Sequence, residues 1–346
     1  MTADALRLHP DDTVLIALKD LPAGAPLQGF FTASPIPRGH KIAARPLAAG
    51  DTVLRYGQII GVATEAIAAG AHVHSHNLGM GAHDQDHAFA SAVRPLPAPE
   101  APRSFMGYHR ADGSVGTRNY LGILTSVNCS GSVARFIAEA AEKPGWLDAF
   151  PNVDGIMPIV HGSGCGMSGK DEGYDTLFRT LQGYARNPNF GGILLVGLGC
   201  EVMQIPDLIG AGRMRADGNF RYMTIQQTGG TRKTIERGLE VLREMAEVAN
   251  RATRQPAGLE HLTVGMQCGG SDGYSGITAN PALGVASDLL VAHGGTTILS
   301  ETSEIYGAEH LLTRRAVTPE VGQKILDRIR WWEDYCARNG GEMDNN

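Results

Sequence analysis

The chain has no continuous apolar run close to the ~20 residues that a membrane-spanning helix needs. Residues 1–20 mix charges with short apolar stretches and contain no signal-peptide core. Lysine and arginine are scattered rather than grouped, and the net charge is −6, which disfavours nucleic acid as a partner. We therefore expect a cytoplasmic protein with neither a membrane nor a nucleic-acid partner.

Cysteine is scarce, whereas glycine is abundant. The five cysteines are an odd number, and without an export signal they favour reduced thiols over disulfides. Many of the 45 glycines follow apolar runs. Glycine at a strand end lets the backbone approach a ligand closely, so these positions are candidates for a binding site.

The chain has 346 residues, and this length predicts two or three domains. The pattern of apolar and turn-forming residues also changes along the sequence. Short apolar stretches alternate with Pro and Gly turns in residues 7–20 and 40–62 and predict a small β-rich module. Four prolines between Arg94 and Pro102 indicate a semi-rigid linker.

From Leu121 onward, apolar runs alternate with segments of helical spacing, and this pattern predicts parallel βαβ units. The fold class is therefore α/β with mainly parallel sheets, and Gln255–Gly258 is expected to divide two lobes. The predicted strands lie near 121–127, 156–160, 192–198, 262–266 and 298–299, and the predicted helices near 133–142, 175–184, 231–251, 283–293 and 321–337.

Three cysteines lie in glycine-rich loops directly after apolar runs: Cys165, Cys200 and Cys268. The carboxyl ends of parallel strands are where α/β sheets bind ligands, so three distant segments are predicted to deliver thiols to one edge. Thiolates suit both a single iron ion and an iron–sulfur cluster. Each cysteine taken alone is equally compatible with a small buried apolar residue.

Alternate positions of one predicted strand carry His72, His74 and His76. Such positions share a face of the strand. Two of these imidazoles could bind a metal with His40 or a carboxylate, or they could contact the substrate directly. A polar outer face of the strand is the competing interpretation.

Three further residues are candidates because of their positions next to predicted strands. His161 stands four residues before Cys165 and is a candidate base or metal ligand, or a structural histidine. The planar guanidinium of Arg118 could bind a substrate carboxylate, or it could pair with an acidic residue at the surface. Asn128 lies at the predicted start of a helix, where an anion could bind.

The segment from Gln267 to Pro281 combines hydroxyl, amide and carboxylate groups with glycines. This inventory suits hydrogen bonding to a polyol, and the candidate substrate ligands are Ser271, Asp272, Thr278 and Asn280. Gly197–Glu201, by contrast, has only a fragment of a dinucleotide fingerprint, so NAD binding is poorly supported.

These motifs together resemble the altronate/galactarate dehydratase family of sugar-acid dehydratases. The carrying segments are Gly39–Ile42, Tyr56-Gly57, His72–Asn77, Asp112–Asn119, Gly164-Cys165, Gly197–Glu201, Gln267–Asp272 and Gly276–Pro281. The resemblance implies an N-terminal SAF (β-clip) domain at 1–92, a linker at 93–104, and Rossmann-like lobes at 105–255 and 256–346. Family members continue beyond Asn346, so the chain looks truncated at its C-terminus.

The implied activity is dehydration of a hexonate or hexarate to a 2-keto-3-deoxy acid, with ferrous iron as cofactor. The histidine strand favours altronate, whereas residues 266–332 look closer to the galactarate branch. In this interpretation the thiols hold iron, His161 is base or ligand, an imidazole among His72, His74 and His76 is acid or ligand, and Arg118 grips the substrate carboxylate.

Two other functions remain open at this point. One is a carbon–sulfur lyase like the related sulfolactate sulfo-lyases, and the other is a non-catalytic sugar-acid or metal-binding protein. For a dehydratase of either substrate branch, we expect a small sugar acid as the partner molecule. We expect a homo-oligomer as the assembly.

Overall fold

A computed structural model describes residues 4–27, 29–81, 87–96, 98–99, 101–169, 171–210, 218–267 and 273–343. The chain divides into two compact units. Unit 1 comprises residues 1–99, 263–292 and 296–346, and unit 2 comprises residues 100–262 and 293–295. The four-part division expected from the sequence stays a prediction.

The strands are short, and we number them in chain order. Those of the described residues are β1 (Ala5–Leu6), β2 (Val14–Ala17), β3 (Lys41–Ala43), β4 (Thr52–Arg55), β5 (Gln58–Ala63), β6 (His72–Val73), β7 (Leu78–Gly79), β8 (Ser104–His109), β9 (Val115–Gly116), β10 (Tyr120–Thr125), β11 (Gly155–Ile159), β12 (Phe190–Gly197), β13 (Phe220–Thr224), β14 (Gln255–Gly258), β15 (Thr263–Met266) and β16 (Thr296–Leu299).

The helices are concentrated after residue 130. They are α1 (Gly131–Ala141), α2 (Glu172–Arg186), α3 (Ile205–Gly210), α4 (Ile225–Thr228), α5 (Thr231–Ala249), α6 (Ala279–Ala292), α7 (Glu309–Thr313) and α8 (Pro319–Arg338). A 3₁₀ turn at Asn128–Ser130 precedes α1. Within the described part of the chain, no helix is both long and apolar enough to cross a membrane.

Unit 1 begins with a β-rich module, as the turn-rich sequence predicted. Its strands form two antiparallel sheets, with the orders β1-β2-β3-β6 and β4-β5-β7. Fully buried side chains such as Leu15, Ile42 and Val53 fill the interior. In the register of β3 with β6, Ile42 lies opposite His72, so the central strand places the histidine segment.

The C-terminal part of unit 1 contains α6, α7 and α8 and the parallel pair β15-β16. Helix α8 begins at a Thr318 N-cap, whose hydroxyl accepts a hydrogen bond from Val321 N, and Pro319 occupies the first turn. Both features are typical helix starts.

Unit 2 is organised around a parallel sheet with the order β11-β10-β12-β13. Every residue of β12 is buried, as expected for a parallel strand covered on both faces. Leu194 and Val196 of β12 pack in a core with α1 and α5, whereas Ile193 and Leu195 pack in a second core with α2 and α3. Because alternate residues of a strand point to opposite faces, helices cover both sides of the sheet. The predicted α/β class is confirmed.

Gln255–Gly258, which was expected to divide two lobes, forms a strand inside unit 2. This strand, β14, pairs antiparallel with β8 in the sheet β14-β8-β9. Pro256 has no N–H to donate, and a strand at the edge of its sheet accommodates it. The proline and the glycine of this segment therefore lie in an edge strand, and the boundary between two lobes stays a prediction.

Candidate functional site

Three cysteines follow three adjacent strands of the parallel sheet. Cys165, Cys129 and Cys200 come after the carboxyl ends of β11, β10 and β12, which are neighbours in that order. Neighbouring strands are about 4.8 Å apart, so the loops emerge side by side. All three thiols are free and exposed. We call these three residues the thiol edge.

The thiols of this edge interact with one another. Desolvation, a hydrogen bond with Cys165 and the nearby sulfur of Cys200 raise the pKa of the Cys129 thiol. The Cys129 Sγ also lies 3.6 Å from the Asn128 side-chain oxygen. Gln226 Nε2 donates a hydrogen bond of 3.4 Å to the Cys200 Sγ. The structure therefore brings together Cys165 and Cys200, as predicted, and adds Cys129.

The loop that carries Cys200 is fixed by a buried carboxylate. Glu201 is only 6% exposed and accepts hydrogen bonds of 2.6 Å from both the Ser126 hydroxyl and the Gly199 N–H. Gly199 has a φ of +124°, and a Cβ there would lie 2.6 Å from the Gln226 side-chain oxygen. The turn thus requires glycine, and Glu201 ties it to the end of β10.

His161 is held by the backbone through both ring nitrogens. Its Nε2 donates to the Thr125 carbonyl at 3.0 Å, and its Nδ1 accepts from Ser163 N–H at 3.2 Å. The observed contacts therefore favour the structural alternative for this residue over a free base. His161 fastens the Cys165 loop to the end of β10, and Asn128 does the same through a 2.8 Å bond from its N–H to the Ser163 carbonyl.

Arg118 lies away from the thiols. It precedes the start of β10, whereas the thiols follow its end, and the six residues of the strand span about 20 Å. Its guanidinium is exposed and donates to the Thr117 carbonyl at 3.3 Å. The structure therefore does not bring Arg118 to the thiol edge, because a residue before a parallel strand lies at the opposite edge of the sheet.

Cys268, Ser271 and Asp272 lie outside the described residues. The strand before them, β15, pairs with β16 in a separate sheet of unit 1. Cys268 was predicted to join the other thiols on the premise of a common sheet edge. Because β15 is not a strand of the four-stranded sheet, this premise does not hold, and Cys268 as a ligand stays a prediction.

Four imidazoles form a cluster in unit 1, and we call His40, His72, His74 and His76 the imidazole cluster. The His40 ring lies 5.0 Å from that of His72 and 5.2 Å from that of His74, and the His72 ring lies 5.5 Å from that of His76. His40 Nδ1 and His72 Nε2 are 2.9 Å apart and share a hydrogen bond. His40, considered from the sequence as a fourth member, is therefore part of the group.

The imidazole cluster has an electropositive environment. Desolvation and then the neighbouring His40, His74, His76 and Lys41 lower the pKa of His72 to about 4. Desolvation, followed by His40, Lys41 and His76, also lowers the pKa of His74. The pKa of Lys41 is lowered by burial and by Arg55. His72 is consequently neutral at pH 7, and a neutral imidazole is a much weaker proton donor than an imidazolium.

The segment after the predicted substrate loop packs against the β-rich module next to His40. A Cβ on Gly273 would lie 2.5 Å from the Gly39 carbonyl oxygen, so two backbones meet there without side chains. The Tyr274 hydroxyl donates to the Leu18 carbonyl at 2.7 Å, and Arg38 stacks 4.4 Å from the centre of its ring. The Tyr56 hydroxyl bonds to the Gly276 carbonyl.

A cavity of about 410 Å³ opens at this segment. Its lining includes Gln267, Asn280, Glu301 and Glu304, and its size is in the range of small-molecule sites. Asn280 is therefore placed where a ligand could contact it. Thr278, by contrast, uses its hydroxyl to bond the Tyr274 carbonyl at 2.9 Å.

Cys129 is the site residue that the sequence interpretation missed. Asn128-Cys129 follows the apolar run 121–127 just as Cys165 and Cys200 follow theirs, so the same signal was present. The segment was instead interpreted as a helix start whose small polar groups and N–H donors could bind an anion. In the described part of the chain, no three His, Cys, Asp or Glu side chains are arranged to hold a single metal ion.

Comparison with known proteins covers nearly the whole chain. The altronate/galactarate dehydratase SAF domain matches residues 3–81, the second domain of D-galactarate dehydratase/altronate hydrolase matches 107–250, and the C-terminal domain of D-galactarate/altronate dehydratase matches 259–346.

Individual relatives give the same result. An altronate dehydratase of Bacillus subtilis is 34% identical over 96% of this chain, and an L-threo-forming galactarate dehydratase of Escherichia coli is 37% identical over 99%. The chain spans 67% of the length of each. The β subunit of a (2R)-sulfolactate sulfo-lyase of Chromohalobacter salexigens is 32% identical over a smaller share, 64% of this chain and 53% of the subunit.

Proposed function

Because the chain belongs to the D-galactarate/altronate dehydratase family, we propose that it dehydrates a six-carbon sugar acid to a 2-keto-3-deoxy acid. The membership confirms the expected enzyme class, a carbon–oxygen lyase of the hydro-lyase type. The proposal is carried by one observation: dehydratases of two different sugar acids align with more than nine-tenths of the chain.

We propose altronate as the preferred substrate and galactarate as the next. The imidazole cluster supports this choice, since three of its members form the His-x-His-x-His motif that suggested the altronate branch. The substrate is an anion at neutral pH. Lys41, which lies beside His72 and His74, and Arg55, which lies near Lys41, supply positive charge that attracts a carboxylate.

Iron is the proposed cofactor, and the chemistry of the thiol edge supports it, although the three thiols are not arranged around a single ion. The sulfurs of this edge are exposed, free and grouped at one sheet edge, and thiolates are suitable ligands for iron. Cys165 and Cys200 would hold the metal, and Cys268 remains a ligand proposed from the sequence. Bound iron supplies Lewis-acid polarisation of the substrate oxygens without proton transfer.

The residues of the chain would handle the protons. Dehydration removes the hydrogen α to the carboxylate and expels the β-hydroxyl as water, and the resulting enol becomes the 2-keto group. His72 and His74 have lowered pKa values, so they suit proton acceptance or metal ligation better than proton donation. Asn280 at the cavity would orient the polyol, and Ser271 and Asp272, which are predicted from the sequence, would do the same. Thr278 and His161 would instead hold the neighbouring backbone in place.

The fold of the lobe, the compartment and the assembly of the protein are also proposals. The parallel sheet of unit 2, with helices on both faces, supports a Rossmann-like lobe. Free thiols at Cys129, Cys165, Cys200 and Cys336 support a reducing compartment such as the cytoplasm. We also propose a homo-oligomer with a small sugar acid as its partner molecule, without nucleic acid or membrane.

The test is turnover by the anaerobically purified chain supplied with ferrous iron. Altronate, galactarate and (2R)-sulfolactate are assayed in parallel for 2-keto acid, and the sulfolactate reaction also for sulfite. We expect 2-keto acid from altronate at the highest rate. Sulfite release exceeding both dehydrations would replace the proposal with the carbon–sulfur lyase, and no product from any of the three would refute it.

A further inference from the structure

We infer that Lys41 is the residue that pairs with the carboxylate of the sugar acid, so that carbon 2 of the substrate lies beside His72 and His74. Arg55 is the second cation of this carboxylate subsite. The inference rests on the proposed function for the class of ligand, and it deepens that proposal because it gives one substrate group a defined partner. Arg118, the candidate from the sequence, lies in unit 2, whereas Lys41, Arg55 and the imidazole cluster all lie in unit 1.

The position of Lys41 in the β-rich module puts its charge next to the histidines. Lys41 is the first residue of β3, directly after His40. In the register of β3 with β6 it lies opposite Val73, the residue between His72 and His74. Its charge acts on both of these imidazoles. A carboxylate that pairs with Lys41 would therefore hold its adjacent carbon near two imidazoles.

The surroundings of Lys41 lack an acid that would balance its charge. Burial, and then the neighbouring Arg55, lower the pKa of Lys41. The groups whose charges act on His72 and His74 are other histidines and Lys41. Within the stretches of chain that the structure describes, none of the groups acting on these three residues is a carboxylate. An unbalanced charge costs free energy when it is buried, and a bound carboxylate would balance it and raise the pKa of Lys41.

Arg55 extends the positive region towards the segment that lines the cavity. It is the last residue of β4, and its Nε is buried without a hydrogen-bond partner among the described residues. A Cβ on Gly276 would lie 3.2 Å from the Arg55 Nη2. The residue before this glycine, Ser275, lines the cavity together with Asn280. A sugar acid with its carboxylate at Lys41 would therefore direct its hydroxyl groups past Arg55 towards these polar side chains.

The pairing also has a consequence for the reaction. Removal of the hydrogen on carbon 2 as a proton leaves an electron pair whose charge spreads onto the carboxylate oxygens. A cation at those oxygens attracts the growing charge, so it stabilises the transition state more than the bound substrate. The same electron pair forms the double bond between carbons 2 and 3, and the hydroxyl on carbon 3 leaves with a proton as water. His72, neutral at pH 7, can accept the proton from carbon 2.

The binding test uses a ligand that cannot react. The 3-deoxy analogue of altronate keeps the carboxylate but lacks the hydroxyl that leaves, and its amide is the uncharged counterpart. Both are titrated calorimetrically into the full chain supplied with ferrous iron, as wild type, K41M, K41R, R118M and K19M. Lys19 is the matched control, because it is an exposed lysine of the same module that pairs with Asp4.

We expect K41M to bind the acid roughly 10- to 100-fold more weakly than the wild type and to bind the amide equally well. K41R, which keeps the charge, should fall between the two, and K19M should match the wild type. Loss of the preference for acid over amide is the decisive readout, since a residue that only maintained the fold would affect both ligands. K41Q replaces K41M if circular dichroism shows that K41M does not fold.

Turnover of altronate gives a second readout. Because the charge on the carboxylate grows in the transition state, K41M should lower kcat as well as raise KM. Four results would overturn the inference: equal binding of acid and amide by the wild type, unchanged acid binding by K41M, equal loss of both ligands in a folded K41M, or loss of the acid preference in R118M but not in K41M.

These results are separable from those that test the proposed function. A preference for the acid that depends on Lys41, in a chain that dehydrates no sugar acid, would refute the function alone. Dehydration of altronate by K41M with the kcat and KM of the wild type would refute the inference alone.

Discussion

Replacing Glu201 by glutamine should loosen the loop that presents Cys200. The buried carboxylate accepts two hydrogen bonds of 2.6 Å, one from the Ser126 hydroxyl and one from the Gly199 N–H. Glutamine has nearly the same shape, but its amide has only one oxygen. One of the two donors would then face an NH₂ group, so E201Q removes one bond while it keeps the packing.

The expected cost follows from the charge on the acceptor. A hydrogen bond to an ionised group contributes about 1.5–3 kcal/mol to stability, so we expect E201Q to lower the free energy of unfolding by about 2 kcal/mol. Because Cys200 is the adjacent residue, the iron content should fall as well. E201A removes both bonds and leaves the Gly199 N–H without its acceptor, and its loss should be larger.

Urea unfolding monitored by circular dichroism, together with iron analysis, checks both effects. E236Q is the matched control, since Glu236 is exposed on α5 and its replacement should change stability by less than about 0.5 kcal/mol. An E201Q chain that unfolds at the same urea concentration as the wild type and keeps its iron would show that the network does not position the thiol.

Three further predictions concern packing, pH and proton transfer. G273A should destabilise the chain by about 1–3 kcal/mol, because its Cβ would lie 2.5 Å from the Gly39 carbonyl oxygen; G183A, on α2 with open space around it, should instead stabilise by about 0.5–1 kcal/mol, and equal urea midpoints for the two would contradict the packing argument. The pKa of His72 in the folded chain is about 4, below its ordinary value of 6.5. Between these two pH values the unfolded chain therefore binds more protons than the folded chain, so the contribution of neutral His72 to the free energy of unfolding is fully present above pH 6.5 and is lost as the pH falls towards 4. Urea titrations with a chelator at pH 7 and 5 should show a smaller loss in H72N than in the wild type, and an identical loss would exclude His72 as the cause. H74N should reduce the turnover of altronate about 100-fold or more while leaving the iron content of the chain unchanged, whereas iron loss in parallel with activity would make His74 a ligand.

The local elements were predictable because their hydrophobic patterns are strong. The run near 192–198 appears as β12, and the helical spacing of 231–251 appears as α5, Thr231–Ala249. A fully buried parallel strand must be apolar on both faces, and a helix that covers it must carry an apolar stripe. Such requirements are visible in a single sequence.

The pairing between distant segments was harder to predict. β13 begins with Phe220-Arg221 and has exposed positions, so its apolar signal is weak. Whether β15 joined the sheet of β12 or paired with β16 depends on long-range hydrogen bonds that no local pattern encodes.

The residue types of the candidate site were easier to predict than the contacts that its side chains make. The histidine spacing predicted one face of a strand, but β6 ends at Val73 and His74 and His76 follow it in a turn. Their rings still lie close together, and the structure brings His40 to them across β3 and β6. His161 had the right chemistry, but its ring nitrogens are taken up by Thr125 and Ser163. Hydrogen bonds of this kind depend on how loops meet, and one strand-end histidine has the same sequence signature in either role.

X-ray absorption at the iron edge tests the central claim, that sulfur from adjacent strand ends binds the metal, most directly. For chain purified without oxygen we expect a shell of sulfur neighbours around the iron that is lost in C165S and C200S. A first shell made only of nitrogen and oxygen would contradict the claim and would direct the search for the metal to the imidazole cluster.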